Sequence, residues 1–255
     1  MYPIRFEPIY QTYVWGGDRI ARRFKRNIEL PRIAESWEIS DRDEAMSIVM
    51  NGPFKGKTLQ QLVVEMGQDL LGMGQEYKRF PILTKIIDAK ENLSIQVHPD
   101  ETTAPKLHGE PKDEMWVMLE EGSVYAGVKP SVDEKQLKKA IQAHKAEDLL
   151  EKLDLKKGEV ANIPGGRVHA ICAGSLLYEV QQNSNTTYRL YDWGRSRELH
   201  LKEGFASIRW DDKSPSKVLP HHMSSDLHHQ LLTLVMSPFF IAERIDIFSE
   251  LHIAA

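Results

Sequence analysis

The stretch Gly158-Glu-Val-Ala-Asn-Ile-Pro164-Gly165-Gly166-Arg-Val-His169 constrains this chain more than any other. Proline fixes φ at one turn position and glycine supplies positive φ at another, so the backbone reverses sharply between two strand-like segments. His169 is thereby delivered onto the returning strand. Pro-Gly turns are common by chance, but a Gly six positions before the Pro and a His three after the last Gly are not. The segments around this turn carry the same signal. Phe80–Ile87, Leu93–His98, Glu114–Leu119, Ser123–Val128, Val168–Cys172 and Leu176–Gln182 are short, apolar and separated by Pro and Gly turns, which predicts an antiparallel β sandwich or barrel.

Two helices are expected beside that block. Thr58–Leu71 has Leu59, Leu62, Val63, Met66, Leu70 and Leu71 at helical spacing, and Thr58 with Gln61 forms a capping-box signature. A second run, Asp133–Leu153, places Leu137, Ile141, Leu149, Leu150 and Leu153 among charges that read as a solvated face. Leu231–Val235 and Phe239–Ile247 read as further strands.

Composition narrows the function classes. The chain has 255 residues with Lys+Arg 33 against Asp+Glu 37, a net charge of −4, so no global basic field holds nucleic acid or an anionic membrane. The one cysteine, Cys172, makes no intramolecular disulfide and reads as a buried small hydrophobe; the start MYPIRFEPIY has no signal-type apolar run, and a cytoplasmic setting is expected. No stretch reaches the roughly 20 apolar residues of a membrane span.

Two further constellations carry chemistry. In Ile95-Gln96-Val97-His98 the period of two puts Gln96 and His98 on one strand face. In Lys112-Asp-Glu114-Met-Trp116 it puts Lys112, Glu114 and Trp116 on one face and Met115, Val117 and Leu119 on the other, where a plain salt bridge is an equally good reading of Lys112 and Glu114. Gln96, His98, Glu114 and His169 together offer two imidazoles, a carboxylate and an amide oxygen. That donor set suits Zn²⁺, Fe²⁺, Mn²⁺ or Co²⁺.

The turn motif resembles the second motif of the cupins, small β barrels with a metal at the mouth. Gln96 stands where a His is usual, and Glu114 follows His98 by sixteen positions, which are features of the type I phosphomannose isomerases. Glu35-Ser-Trp-Glu38, Gln96-Val-His-Pro-Asp100, Lys112-Asp-Glu-Met-Trp116, Ile163–Ile171 and Glu179–Arg195 extend the resemblance over most of residues 1 to about 210. It implies a mainly β, cupin-type jelly-roll barrel with helical insertions, and zinc-dependent interconversion of mannose 6-phosphate and fructose 6-phosphate. Position by position it implies one zinc per chain on His98, Glu114 and His169 with Gln96 as fourth ligand. Arg189 falls on the family's catalytic arginine and Lys112 on an active-site lysine, both serving catalysis and substrate binding. Arg195 and Arg197 are candidates for the phosphate, beside their reading as solvated charges.

The reaction moves a proton between C1 and C2 through an enediol; the proton acceptor is Lys112 or a water on the metal, and the sequence leaves both open. Asn185 stands where many relatives carry Asp four places before the arginine, which favours an alternative reading as a weak or inactive sugar-phosphate-binding cupin. A cupin dioxygenase is a third reading, disfavoured by the long spacing and the Lys112-x-Glu114 pair. Residues 1–215 are expected to form the catalytic domain and 216–255 the start of a truncated C-terminal β domain whose unpaired edges invite self-association.

Overall fold

A computed structural model describes residues 2–74 and 77–249. Two antiparallel sheets face each other. The larger runs Ile9–Gln11, Glu35–Ile39, Ile82–Asp88, Leu176–Gln182, Glu114–Met118, Val160–Ile163, Lys217–Val218 in spatial order. The smaller runs Tyr188–Tyr191, Ile95–Val97, His169–Ile171, Gly122–Val128, Leu150–Leu155. Side-chain alternation then sorts every strand into an inward and an outward set. Trp116, Met118, Val124, Ala126, Ile171 and Leu177 point inward and fill the barrel together with Trp15 and Leu155.

Both outer faces are covered. Over the smaller sheet, Ile95, Val97, Val168, Ala170 and Leu190 pack on Leu137 and Ile141 of one helix, Glu134–Gln142, and on Phe205 of another, Leu201–Ser207. Over the larger sheet, Met115 and Val160 pack on Leu234 and Val235 of a three-stranded sheet, His221–Ser225, His229–Met236 and Ile241–Ile247. Both strands expected after residue 230 are therefore present, with one more before them. No described helix is long and apolar enough to cross a membrane.

The first expected helix forms as Leu59–Met66, and Thr58 Oγ1 accepts from the Gln61 amide while the Gln61 side chain accepts from Thr58 N–H. It stops early because Gly67 takes φ +51, and only a single turn, Gln68–Leu71, follows. The second expected helix is cut shorter still. It ends at Gln142, His144 adopts φ +56, and Leu150–Leu155 is an edge strand paired with Gly122–Val128. The leucines there satisfied both periods, and an open sheet edge decided between them.

The Pro164 turn forms as expected and does more than reverse the chain. Gly166, at φ +87, donates its N–H to the His98 carbonyl at 2.8 Å, and Gly165 donates to Asp113 Oδ1 at 2.7 Å. A Cβ on Gly165 would lie 2.8 Å from Asp100 Cα, so the approach requires glycine. Gly165→Ala is therefore expected to lose about 1–3 kcal/mol of stability through the forced backbone shift, measured as a lower urea midpoint at unchanged slope.

Candidate metal centre and its cavity

Alternation turns four of the singled-out side chains to the same inner point. Gln96 opposes His169 and Arg189 in register, and Glu114 opposes Ile163 and Gln181, so four strand pairings bring the motifs together. His98 Nδ1 lies 2.8 Å from the Thr186 carbonyl and His169 Nδ1 2.9 Å from the Arg167 carbonyl. Since a carbonyl only accepts, each Nδ1 carries the proton and each Nε2 lone pair faces inward. Those lone pairs meet Glu114: His169 Nε2 is 3.3 Å from Oε1 and His98 Nε2 3.5 Å from Oε2. One ligand atom from each of the three residues lies within 4.8 Å of the others, and all three side chains are buried.

The electrostatics fit a cation at that point. Burial holds both imidazoles below their usual range, His169 at about 4, so they are neutral donors at pH 7. Burial also pushes the Glu114 carboxyl up to about 8, although Lys112 Nζ, 2.9 Å from Oε2, pulls the other way. A divalent ion would satisfy that carboxylate and both lone pairs together. Lys112 Nζ also sits 3.3 Å from His98 Nε2, so Lys112 now occupies lone pairs that a metal would take. Gln96 presents Nε2 to His169 Nε2 at 3.3 Å while its Oε1 accepts from Ser94 Oγ at 3.1 Å. For its oxygen to complete a donor set the amide turns end for end, a change that Ser94's hydroxyl can meet by accepting instead.

A cavity of about 280 Å³ opens above the cluster. Its wall contains a buried triad that the sequence reading missed. Lys85 Nζ lies 3.5 Å from Glu35 Oε2 and 3.4 Å from Glu179 Oε1, over the Trp37 ring at 4.8 Å. Trp37 Nε1 donates to Glu35 Oε2 and Trp116 Nε1 to Glu179 Oε2, at 2.7 and 2.9 Å. Burial opposes ionisation of Glu179, but the ammoniums of Lys112 and Lys85 outweigh it and hold the carboxyl below its ordinary range. Burial likewise works against the Lys85 charge, and Glu35 and Glu179 overcome it.

Arg189, Arg197 and Asn185 line the same cavity toward solvent. Arg189 Nη1 donates to the Glu198 carbonyl at 2.7 Å while its Nε is buried without a partner among the described residues, and burial next to Arg197 pulls its pKa down. Arg197 is held by two bonds to Asp192, at 2.8 and 2.6 Å. Arg195 also bonds Asp192, at 2.8 Å, and reaches Glu91 and the Asn92 carbonyl rather than this cavity, so it is a structural cation and not a phosphate candidate. Asn185 is exposed at the rim, 3.3 Å from Glu44 Oε1. Cys172 is buried on the outer face and burial pushes its thiol up to about 11, as expected of an inert small hydrophobe.

Comparison with known proteins agrees with this geometry. Residues 4–116 match the family model of the phosphomannose isomerase type I catalytic domain. Mannose-6-phosphate isomerase ManA of Bacillus subtilis (strain 168) is 36% identical over 237 residues, 88% of this chain and 74% of that protein. The crystal structure of the mannose 6-phosphate isomerase from Bacillus subtilis superposes with a TM-score of 0.88 at 32% identity, covering 97% of this chain and 81% of that one. A mannose 6-phosphate isomerase crystallised with zinc and yttrium shares the fold at a TM-score of 0.67 and 16% identity, covering 91% of this chain and 80% of that one. This chain belongs to the type I mannose-6-phosphate isomerases, a family of enzymes, and its barrel is their cupin barrel.

Proposed function

We propose that this chain interconverts mannose 6-phosphate and fructose 6-phosphate as a zinc-dependent aldose–ketose isomerase acting through an enediol. The observation that supports this most directly is the convergence of two neutral imidazole lone pairs and a buried carboxylate beneath a cavity rimmed by guanidinium groups. His98, Glu114 and His169 would hold one zinc ion, with the Gln96 amide oxygen as fourth donor. When bound there, zinc supplies a Lewis acid that polarises the substrate's carbonyl oxygen.

The remaining work falls to the chain's own side chains. Arg197, fixed by Asp192, is a rigid cation at the cavity mouth suited to the phosphate. Arg189 lines the cavity and brings its guanidinium to the negative charge that grows on the enediol oxygens. Lys112 lines the same cavity and donates to a sugar oxygen, so Lys112 and Arg189 together orient the substrate. Proton transfer between C1 and C2 needs a group of this chain within hydrogen-bond reach that gives and takes one proton. Lys112 and the ionised Glu179 both face that space.

Chelation is expected to abolish conversion of mannose 6-phosphate in a coupled assay, and added Zn²⁺ to restore it, with metal content near one per chain by elemental analysis. Full activity in a metal-free sample would overturn the zinc requirement. Bound zinc and bound sugar phosphate without turnover would instead favour a binding module, the reading that Asn185 at the rim supports. Arg189→Ala is expected to lower kcat by roughly 10²–10³-fold, the usual effect of removing one charge-stabilising donor, with zinc content unchanged. Near-normal turnover in that variant would remove Arg189 from the chemistry.

A further inference from the structure

Arg167 stands between the Pro164 turn and His169, and its side chain is only 3% exposed. A guanidinium buried so deeply has to place all of its N–H donors within the protein. Nε and Nη2 donate to Asp212 Oδ2 at 2.9 and 2.7 Å, and Nη1 donates to the Asn162 carbonyl and to Ser216 Oγ at 2.9 and 2.8 Å. Nη2 also reaches the carbonyl and Oγ of Ser214, at 2.8 and 2.6 Å. Asn162 lies on the strand that enters the turn, whereas Asp212, Ser214 and Ser216 belong to the segment 209–216. That segment is tied to the backbone on both sides of His169. Arg209 N–H donates to the Gly166 carbonyl at 2.9 Å, and Ser216 Oγ donates at 2.9 Å to the carbonyl of Ala126, the residue paired with His169 on the neighbouring strand.

The consequence for the metal centre runs through the backbone of Arg167. Its carbonyl accepts from His169 Nδ1 at 2.9 Å, and that bond turns the Nε2 lone pair toward Glu114. We propose that Arg167 and Asp212 are positioning residues of the metal centre: their ion pair and its serine acceptors hold the Arg167 carbonyl, and through it the His169 ring, in the orientation that a metal ligand needs. The role rests on the zinc reading given above, yet neither residue lines the cavity. An imidazole fixed in advance loses little further freedom when it binds a metal, so such supports raise metal affinity. His98 is an internal reference, because the Thr186 carbonyl that holds its Nδ1 lies outside this clamp.

Zinc affinity, measured by competition with a chromophoric chelator, is expected to fall roughly 10–100-fold in Asp212→Asn. The double variant R167M/D212N replaces both charges by neutral side chains of similar shape, so no unpaired ion is left to unfold the chain, and the same loss is expected. In metal-free protein the His169 Nδ1–H proton resonance is expected to move upfield and to exchange faster with water in both variants, while that of His98 keeps its place. Asp88→Asn breaks another pair with a buried carboxylate, to Arg19 at 2.6 Å and outside the cavity, and is expected to lower the urea midpoint with zinc affinity unchanged. Unchanged zinc affinity and an unchanged His169 proton in both clamp variants would overturn the proposal, as would an equal loss of zinc in Asp88→Asn. A wild-type chain that binds no zinc would overturn the zinc reading instead, and the His169 proton alone would then decide whether the clamp orients the ring.

Discussion

The hydrogen bond from Gly166 N–H to the His98 carbonyl is the contact on which the rest of the site depends. It ties the Pro164 turn to the end of the strand Ile95–Val97, and so fixes the two imidazoles, seventy-one positions apart in sequence, with ring centroids 4.7 Å apart. Because Gly165 lies against Asp100, the turn has no freedom to drift from this position. A carbonyl that follows the same turn, that of Arg167, then orients His169 by accepting from its Nδ1. One glycine-rich reversal thereby sets the separation of the two imidazoles and the tautomer and ring orientation of His169, while the Thr186 carbonyl sets those of His98. Strand register does the rest, since Glu114, Gln96, Arg189 and Glu179 each reach the interior only in the pairing observed.

An interior built this way is expensive in desolvation, and the charges are distributed accordingly. Three buried carboxylates, Glu35, Glu114 and Glu179, face two buried ammoniums, Lys85 and Lys112. Lys85 balances the wall with help from two tryptophan N–H donors, while Glu114 is left with Lys112 alone. The site is one positive charge short at the place where the neutral imidazoles converge, which is the condition a dication meets. With that charge met, the guanidiniums of Arg189 and Arg197 make the mouth of the cavity positive. A chain with net charge −4 can then attract a sugar phosphate to one pocket while its surface as a whole does not attract anions.

Local rules made part of this legible in sequence. The turn, the capping box at Thr58 and the inward placement of Gln96, His98, Lys112 and Glu114 follow from φ preferences and a period of two, which act within a few residues. Leu149, Leu150 and Leu153 predict a helix where a strand forms for the same reason: leucines at that spacing serve either, and the choice lay with a distant edge. The Lys85 triad depends wholly on long-range pairing: Glu35 opposes Ile87 and Glu179 opposes Lys85 across two sheet neighbours. Its signal was nonetheless present. A lone lysine within Ile82-Leu-Thr-Lys-Ile-Ile, and tryptophans at 37 and 116 whose indole N–H must find acceptors once buried, both ask for carboxylates. Arg195 and Arg197 look alike in sequence and both bond Asp192; only the long-range contacts of Arg195 to Glu91 and the Asn92 carbonyl separate it from Arg197, which lines the cavity.

The outward faces explain why such an interior is tolerated. Each strand that carries a polar group inward carries apolar groups outward: Ile95 and Val97 beside Gln96, Met115 beside Glu114, Val168 and Ala170 beside His169, and Val180 beside Glu179. The polar end of the barrel contributes little hydrophobic stabilisation, so the burial that offsets its desolvation comes from the apolar cluster around Trp116 and Met118 in the rest of the interior and from the outside, under the helices on one sheet and under the C-terminal strands on the other. The three-stranded sheet is therefore part of what keeps Glu114 in place, since Met115, its immediate neighbour, is buried against Leu234 and Val235. Loosening that cover would be felt at Glu114 before it reached the His98 side, where the helices over the smaller sheet hold Ile95 and Val97 independently.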